Sequence, residues 1–305
     1  MASRLYRLTV DSQDEGMRLD QFVAGQVGDL SRGAVRKIID LGGVHVAGRR
    51  IGRCSQSVRA GQAVEVYLDG RPLDIYSLEE GRILFRDPYL LVIAKPPGVD
   101  FQPTHARFKG TLYEAVRRYL EKLPGGGKRP TIGMVQRLDR ETSGVAVFSI
   151  HQRSHAVMTR LFADRRVDKC YQALVAGSPI AKEGEFRSLL ARQHRTNLMK
   201  SVKKGGKEAI TRYRVIAEFG DCSLVEVELV TGRSHQIRAH FAEAGHPLVG
   251  DHRYGGQLLV AGLEAGRTML HAQRLVFDHP VNGESLRFEA PLAEDMADLL
   301  DRLSS

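Results

Sequence analysis

The chain predicts an α+β protein built on a large, mostly antiparallel sheet, with a smaller α+β unit ahead of it. Three observations lead there. Strand-like and helix-like stretches succeed one another along the 305 residues, with no internal repeat and no low-complexity tract. Residues 69–80 are polar and carry Gly70 and Pro72, as a linker would. Hydrophobic content of 42% beside 27% charged residues suits a soluble chain of two domains, one of them large.

The elements follow in order. Ser31 can cap a helix whose Val35, Ile38 and Ile39 form one apolar stripe, leaving Arg32, Arg36 and Lys37 on the outer side. Gly42-Gly43 ends it. Val44–Val46 reads as a strand, Ala47–Arg50 as a turn with Arg49 and Arg50, and Ala63–Tyr67 as a further strand. Ile83–Ala94 is strand-like and breaks at Pro96-Pro97-Gly98. Thr111 and Glu114 form a capping box for a helix that runs to Leu123 and ends at Pro124 and the glycines 125–127. Val145–Ser149 is a strand and His151–Phe162 a helix. Val225, Val227 and Leu229 alternate with Glu226 and Glu228, as on a half-buried strand. Leu275–Asp278 turns near Asn282-Gly283 into Ser285–Glu289, and a last helix carries Met296, Leu299, Leu300 and Leu303.

Composition bounds the function. No apolar run approaches a membrane span, and the first residues lack the apolar block of a secretory signal. Cys54, Cys170 and Cys222 are odd in number and far apart, which fits reduced thiols in a cytoplasmic protein. A net charge of +9 points to a polyanionic partner. The charge is clustered: residues 31–59 hold seven basic side chains against one acid, Asp40. A second basic stretch runs from Arg192 to Arg214, where Gly205-Gly206 reads as a hairpin tip. That stretch is either a flap on nucleic acid or a solvated loop.

The most informative segment is Met134–Phe148. It sets Asp139 between Arg137 and Arg140 on a polar turn, Thr142-Ser143-Gly144, that leads into an apolar strand. Nearby guanidinium groups favour an ionised carboxylate, and their planar donors suit phosphate or a stacked base. Arg18-Leu19-Asp20 repeats the tripeptide without the turn and strand; there Leu19, Phe22 and Val23 suit one apolar helix face.

Gln136–Gly144 resembles the signature of the pseudouridine synthases of the RluA type, His-Arg-Leu-Asp-x-x-Thr-Ser-Gly. Leu91–Gly98 resembles the first motif of that family, Lys169–Val175 its short Lys-x-Tyr motif, and Thr231–His240 with Gly245–Asp251 its third. The similarity covers roughly residues 82 to 305. Gln136 stands where the family has His, and Ser234 where Thr is commoner. Residues 16–68 resemble the S-four-like RNA-binding domain, in which this helix and turn contact RNA. The resemblances imply an RNA-binding domain over 16–68, a linker over 69–80 and a catalytic domain over 81–305. They imply Asp139 as catalytic carboxylate, Arg238 as its partner, and Tyr171 as the aromatic on the uracil ring. Arg137 would fill the gap left by the flipped base, with Lys95 and His240 as structural support. Arg140, Arg32, Arg36, Lys37, Arg49 and Arg50 are the remaining candidate RNA contacts.

The implied reaction is isomerisation of uridine to pseudouridine in RNA, with large-subunit ribosomal RNA favoured over transfer RNA because of the appended domain. No cofactor is implied, and a monomer is the default. His235, His240, His246, His252, His271 and Asp251 do not make a metal site by spacing, since His235 and His240 do not share a helical face and no Cys-x-x-Cys is present. A non-catalytic RNA-binding assembly factor and a base-releasing hydrolase are the rival classes. The second would need a pair of carboxylates, and the motif offers Asp139 with only Glu141 nearby.

Overall fold

The computed structural model describes residues 3–124, 130–179 and 181–305. The chain divides into two units, residues 1–78 with 99–130 and residues 79–98 with 131–305. It therefore leaves the first unit close to the expected linker, but residues 99–130 belong again with the first unit and not with the second. Ion pairs explain part of this. Arg71, in the stretch read as a linker, bridges Asp69 and Asp100 at 2.6 and 2.5 Å, and Arg107 reaches Asp69 at 2.5 Å.

In the first unit Ala63–Asp69 lies between Ser3–Thr9 and Val44–Val46, all antiparallel, with Arg49–Arg50 at the far edge. Ser3–Thr9 lies outside the expected 16–68 bounds: its arginines and exposed edge position hide it from a hydrophobic pattern. The helix Arg32–Leu41 begins as expected, with the Ser31 hydroxyl accepting from Ala34 N at 3.2 Å, and ends at Gly42 in the left-handed region. Val35, Ile38 and Ile39 pack with Leu19, Phe22 and Val23 of the helix Leu19–Gln26. Thr111 caps the helix Leu112–Lys122 through Glu114 N. The glycines expected to end that helix lie outside the described residues.

The second unit carries an eleven-stranded sheet among the described residues. From one edge the order is Met199–Ser201, Glu183–Arg192, Lys207–Glu218, Cys222–Leu229, Asp168–Ala176, Leu270–Asp278, Ser143–Ser149, Leu90–Lys95 and Ile83–Arg86. Ser285–Glu289 also pairs with Leu270–Asp278, and Gly133–Met134 with Ser143–Ser149. The pairs are antiparallel except Leu270–Asp278 with Ser143–Ser149. The mixed, mostly antiparallel sheet is the expected fold class.

Two local expectations are corrected. Ile83–Ala94 is a hairpin of two strands, because the Asp87 carboxylate accepts from Tyr89 N and Leu90 N at 2.7 and 2.6 Å and turns the chain at Pro88. Gly205-Gly206 is not a hairpin tip: Met199–Ser201 and Lys207–Glu218 lie on opposite sides of Glu183–Arg192, and the glycines carry the chain across. The basic stretch is also less bare than its sequence, since Arg212 pairs across strands with Glu185 and Arg214 with Glu226.

The helix Gln152–Ala163 buries Met158 and Leu161 against Val145, Val147 and Phe277. The helix Glu294–Leu303 buries Met296 and Leu299 beside Leu174 and Met269. Each such side chain contributes about 2 kcal/mol on burial, which makes the sheet a rigid mount for the loops at its strand ends.

Candidate active site

The loop that bears Asp139 is held from below by a buried cation. Lys95, only 2% exposed, donates from Nζ to the carbonyl oxygens of Pro96, Arg140 and Thr142 at 2.8–2.9 Å. Gly98 N donates to the Arg140 carbonyl as well. Glu141 anchors the other side, accepting from the Thr268 hydroxyl at 2.8 Å and its backbone N–H. The chain then enters Ser143–Ser149 through Gly144, whose φ is +114°. A Cβ there would lie 2.1 Å from the Ala272 carbonyl oxygen of the parallel neighbour, so no other residue fits without moving a strand. Gln136 donates to the Val145 carbonyl at 3.2 Å, so the departure from the family's His leaves a local backbone contact in place.

The second half of the site comes from residues 231–254. Thr231 and Gln236 exchange hydrogen bonds with the strand at Ile210 and Thr211, which fixes the start of the helix Gln236–Glu243. His240, expected as support, is buried and bonded to Ser188 and Thr211. Two residues earlier Arg238 forms a two-pronged pair with Asp251 at 2.6 and 2.9 Å and places Nη1 2.8 Å from Asp139 Oδ2. Burial works against the Arg238 charge, but Asp251 and Asp139 outweigh it and raise its pKa, so it stays a cation. Asp251 is itself almost fully buried and follows Gly250, where a Cβ would meet the Arg267 carbonyl oxygen at 1.7 Å.

The other oxygen of Asp139 faces His235. Its Nε2 lies 3.8 Å from Oδ1, while its Nδ1 meets the Tyr254 hydroxyl at 3.0 Å. Tyr254 also accepts from Met199 N and lays its ring under the Arg238 guanidinium, 5.0 Å from the centroid. His235 adopts a left-handed backbone, φ 50°, a conformation that is costly away from glycine and that aims its ring at the carboxylate. Burial depresses its pKa, helped by Arg238, Arg253 and Arg192 and opposed by Asp139, so the ring is neutral near neutral pH.

Tyr171 stands on the strand Asp168–Ala176, buried, with its hydroxyl pKa pushed up by burial and then by the Asp139 charge. The structure thus brings Asp139, Tyr171 and Arg238 together. Arg137 is exposed on the same loop, two residues before Asp139. Arg140 pairs with Glu141 at 2.9 Å and not with Asp139. In the first unit Arg32 and Arg36 both bind the buried Asp20, Arg50 is half-buried beside Phe108, and Lys37 and Arg49 are exposed.

Two site residues escape a reading of the sequence. By sequence His235 is one histidine among several whose spacing does not suit a metal, and Tyr254 does not stand out. The signal for Tyr254 is the spacing Gly250-Asp251-x-x-Tyr254, a short turn that sends carboxylate and phenol toward the same arginine.

Comparison with known proteins agrees with this geometry. Residues 89–243 match the family described as RNA pseudouridylate synthase. An RNA pseudouridine synthase of Bacillus subtilis is 32% identical, the alignment covering 97% of both chains. A protein of Nitrosomonas europaea named ribosomal large subunit pseudouridine synthase D is 34% identical over 97% of this chain and 87% of its own. The solved structure of human RNA pseudouridylate synthase domain containing 4 superposes with a TM-score of 0.61 at 26% identity, covering 73% of this chain and 92% of that one. With its mixed sheet, ordered motifs and near full-length relatives, the chain belongs to the RNA pseudouridylate synthases, isomerases that convert uridine in RNA to pseudouridine.

Proposed function

We propose that this isomerase acts on uridines of large-subunit ribosomal RNA, with Asp139 as the carboxylate that meets the ribose. The observation that carries the substrate is similarity over nearly the whole chain to proteins named for the ribosomal large subunit. The observation that carries the residue is the asymmetry of Asp139: Oδ2 is taken by Arg238, while Oδ1 faces outward past a neutral imidazole.

The chemistry follows from that asymmetry. The bond from ribose to the uracil ring nitrogen breaks, the ring turns, and ribose rejoins at carbon-5. A stacked nucleotide hides the reacting carbon, so it is flipped out at a cost of a few kcal/mol, and Arg137 fills the gap it leaves. Oδ1 of Asp139 then either attacks the sugar or takes a ribose proton; both uses need an ionised oxygen held against the ribose. Arg238 keeps the carboxylate oriented, and Asp251 keeps Arg238 oriented. The Tyr171 ring lies on the uracil, its hydroxyl neutral throughout. We further propose that the basic residues of 16–68, Lys37 and Arg49 foremost, contact RNA phosphates as an S-four-like domain does, and that the enzyme works in the cytoplasm.

The test is a pseudouridine map of total RNA from cells with and without the chain, restored by the wild type or by Asp139→Asn. Loss of particular large-subunit sites, rescued by the wild type alone, is the expected result. Loss confined to transfer RNA would overturn the substrate, and rescue by the Asn variant would overturn the role of Asp139.

A further inference from the structure

The two lysines buried in the second unit differ in a way the family fold alone does not explain. Lys95 donates to three carbonyl oxygens and is satisfied within the protein. Lys169 is 7% exposed, yet among the described residues its ammonium has no carboxylate within ion-pair distance and no hydrogen-bond acceptor. Its charged surroundings are mostly of its own sign. Burial depresses its pKa, Arg165 and Arg233 depress it further, and only Asp168 opposes them. The stem of Lys169 is buried, but its ammonium is not sealed from solvent, so it is open to an outside acceptor as that of Lys95 is not.

The location gives this ammonium a use. Lys169 lies two residues from Tyr171 on one strand, so both side chains stand on the same face, roughly 7 Å apart along the chain. Its Nζ is approached by the exposed Gly232; a Cβ there would meet nothing within 4 Å but that nitrogen, at 3.8 Å. The next residue, Arg233, donates from Nε to the Glu208 carbonyl, and Arg165 pairs with the Glu208 carboxylate at 2.9 Å. A glycine edge thus opens onto an ammonium flanked by two guanidinium groups.

We propose that Lys169, with Arg165 and Arg233, forms a subsite for one phosphodiester of the RNA, next to the nucleotide whose base lies on Tyr171. The subsite rests on the assignment of Tyr171 as the uracil contact. It takes a phosphate oxygen as the missing acceptor, which leaves Asp139 free of any second cation.

The test compares Asp139→Asn, Asp139→Asn/Lys169→Met and Asp139→Asn/Lys169→Arg for binding of unmodified, in vitro transcribed large-subunit ribosomal RNA at several salt concentrations. Working in the Asn background separates binding from turnover. Lys169→Met is expected to weaken binding about tenfold and to reduce the salt dependence by about one phosphate contact. Its melting temperature should stay close to that of the parent, because no hydrogen bond or ion pair within the protein has been removed. Lys169→Arg should keep most of the salt dependence. Unchanged affinity and salt slope in the Met variant would overturn the subsite, as would a lowered melting temperature with an unchanged slope. In the background with Asp139 intact, a loss of kcat by Lys169→Met at unchanged affinity would overturn it too. If the slope falls while the wild type isomerises no uridine in that RNA, the subsite stands and the proposed substrate fails.

Discussion

The tripeptide Arg-Leu-Asp occurs once in each unit, and the two copies do opposite things. In Arg18-Leu19-Asp20 the carboxylate is fully buried and saturated: Arg18, Arg32 and Arg36 donate to it from Nε at 2.9–3.0 Å. Its pKa is drawn far below the ordinary carboxylate range, first by the Arg18 hydrogen bond and then by the other arginines, against the cost of burial. In Arg137-Leu138-Asp139 the side chain is 32% exposed, and one guanidinium, Arg238, holds one oxygen. A saturated carboxylate has no lone pair left for a substrate, whereas a half-held one is oriented and still available. The leucine is buried in both copies, so the hydrophobic anchor is shared and the difference lies in how many cations arrive.

This contrast can be broken by exchange of effects. Asp139→Asn should lower turnover by about four orders of magnitude and leave thermal stability within about 0.5 kcal/mol of wild type, read from single-turnover assays and calorimetry. Asp20→Asn should do the reverse. It leaves three guanidinium groups facing a neutral amide and costs the first unit about 3 kcal/mol, with the isomerisation rate of folded enzyme unchanged. Comparable losses of turnover in both variants would erase the distinction.

Arg238→Lys sharpens it. A lysine cannot hold Asp251 with two prongs and reach Asp139 at once, so kcat should fall about a hundredfold, with a stability loss of about 2 kcal/mol from the buried Asp251. A variant with normal kcat would show that charge alone suffices.

The smallest effect is in acid. His235, His240 and His271 in the second unit, and His45 in the first, are held by burial below the ordinary value of 6.5. Depressed histidines bind fewer protons folded than unfolded, so their stability is complete above pH 6.5 and declines as pH falls. Asp20 adds a loss only below its unfolded value of 3.8, with the same sign. Hydrogen exchange should therefore show the second unit loosening first between about pH 6.5 and 5, by about 1 kcal/mol. Earlier loosening of the first unit would contradict the order.

Much of this was legible along the chain. Caps announced themselves: Ser31 and Thr111 open their helices as local chemistry requires, because a cap needs only its own next three residues. The motif order placed Asp139, Tyr171 and Arg238. Errors gathered where pairing is non-local. Gly205-Gly206 looks like a hairpin tip until its flanking strands are seen to straddle a third, and residues 99–130 give no local sign of joining the first unit. The basic residues expected to face RNA carry the least local information, since nothing near Arg32 or Arg36 in the chain tells that both reach back to Asp20.

By itself the sequence determined the fold class, the family and which carboxylate stands in the signature motif, because periodicity, caps and ordered motifs are short-range properties that survive in one dimension. Only the tertiary structure decided which charges are spent and which are free. Asp20 and Asp139, Lys95 and Lys169 are the same residue types in similar local settings. What separates them is how many oppositely charged or polar groups from distant strands reach each charged atom, and ionic satisfaction is set by three-dimensional packing.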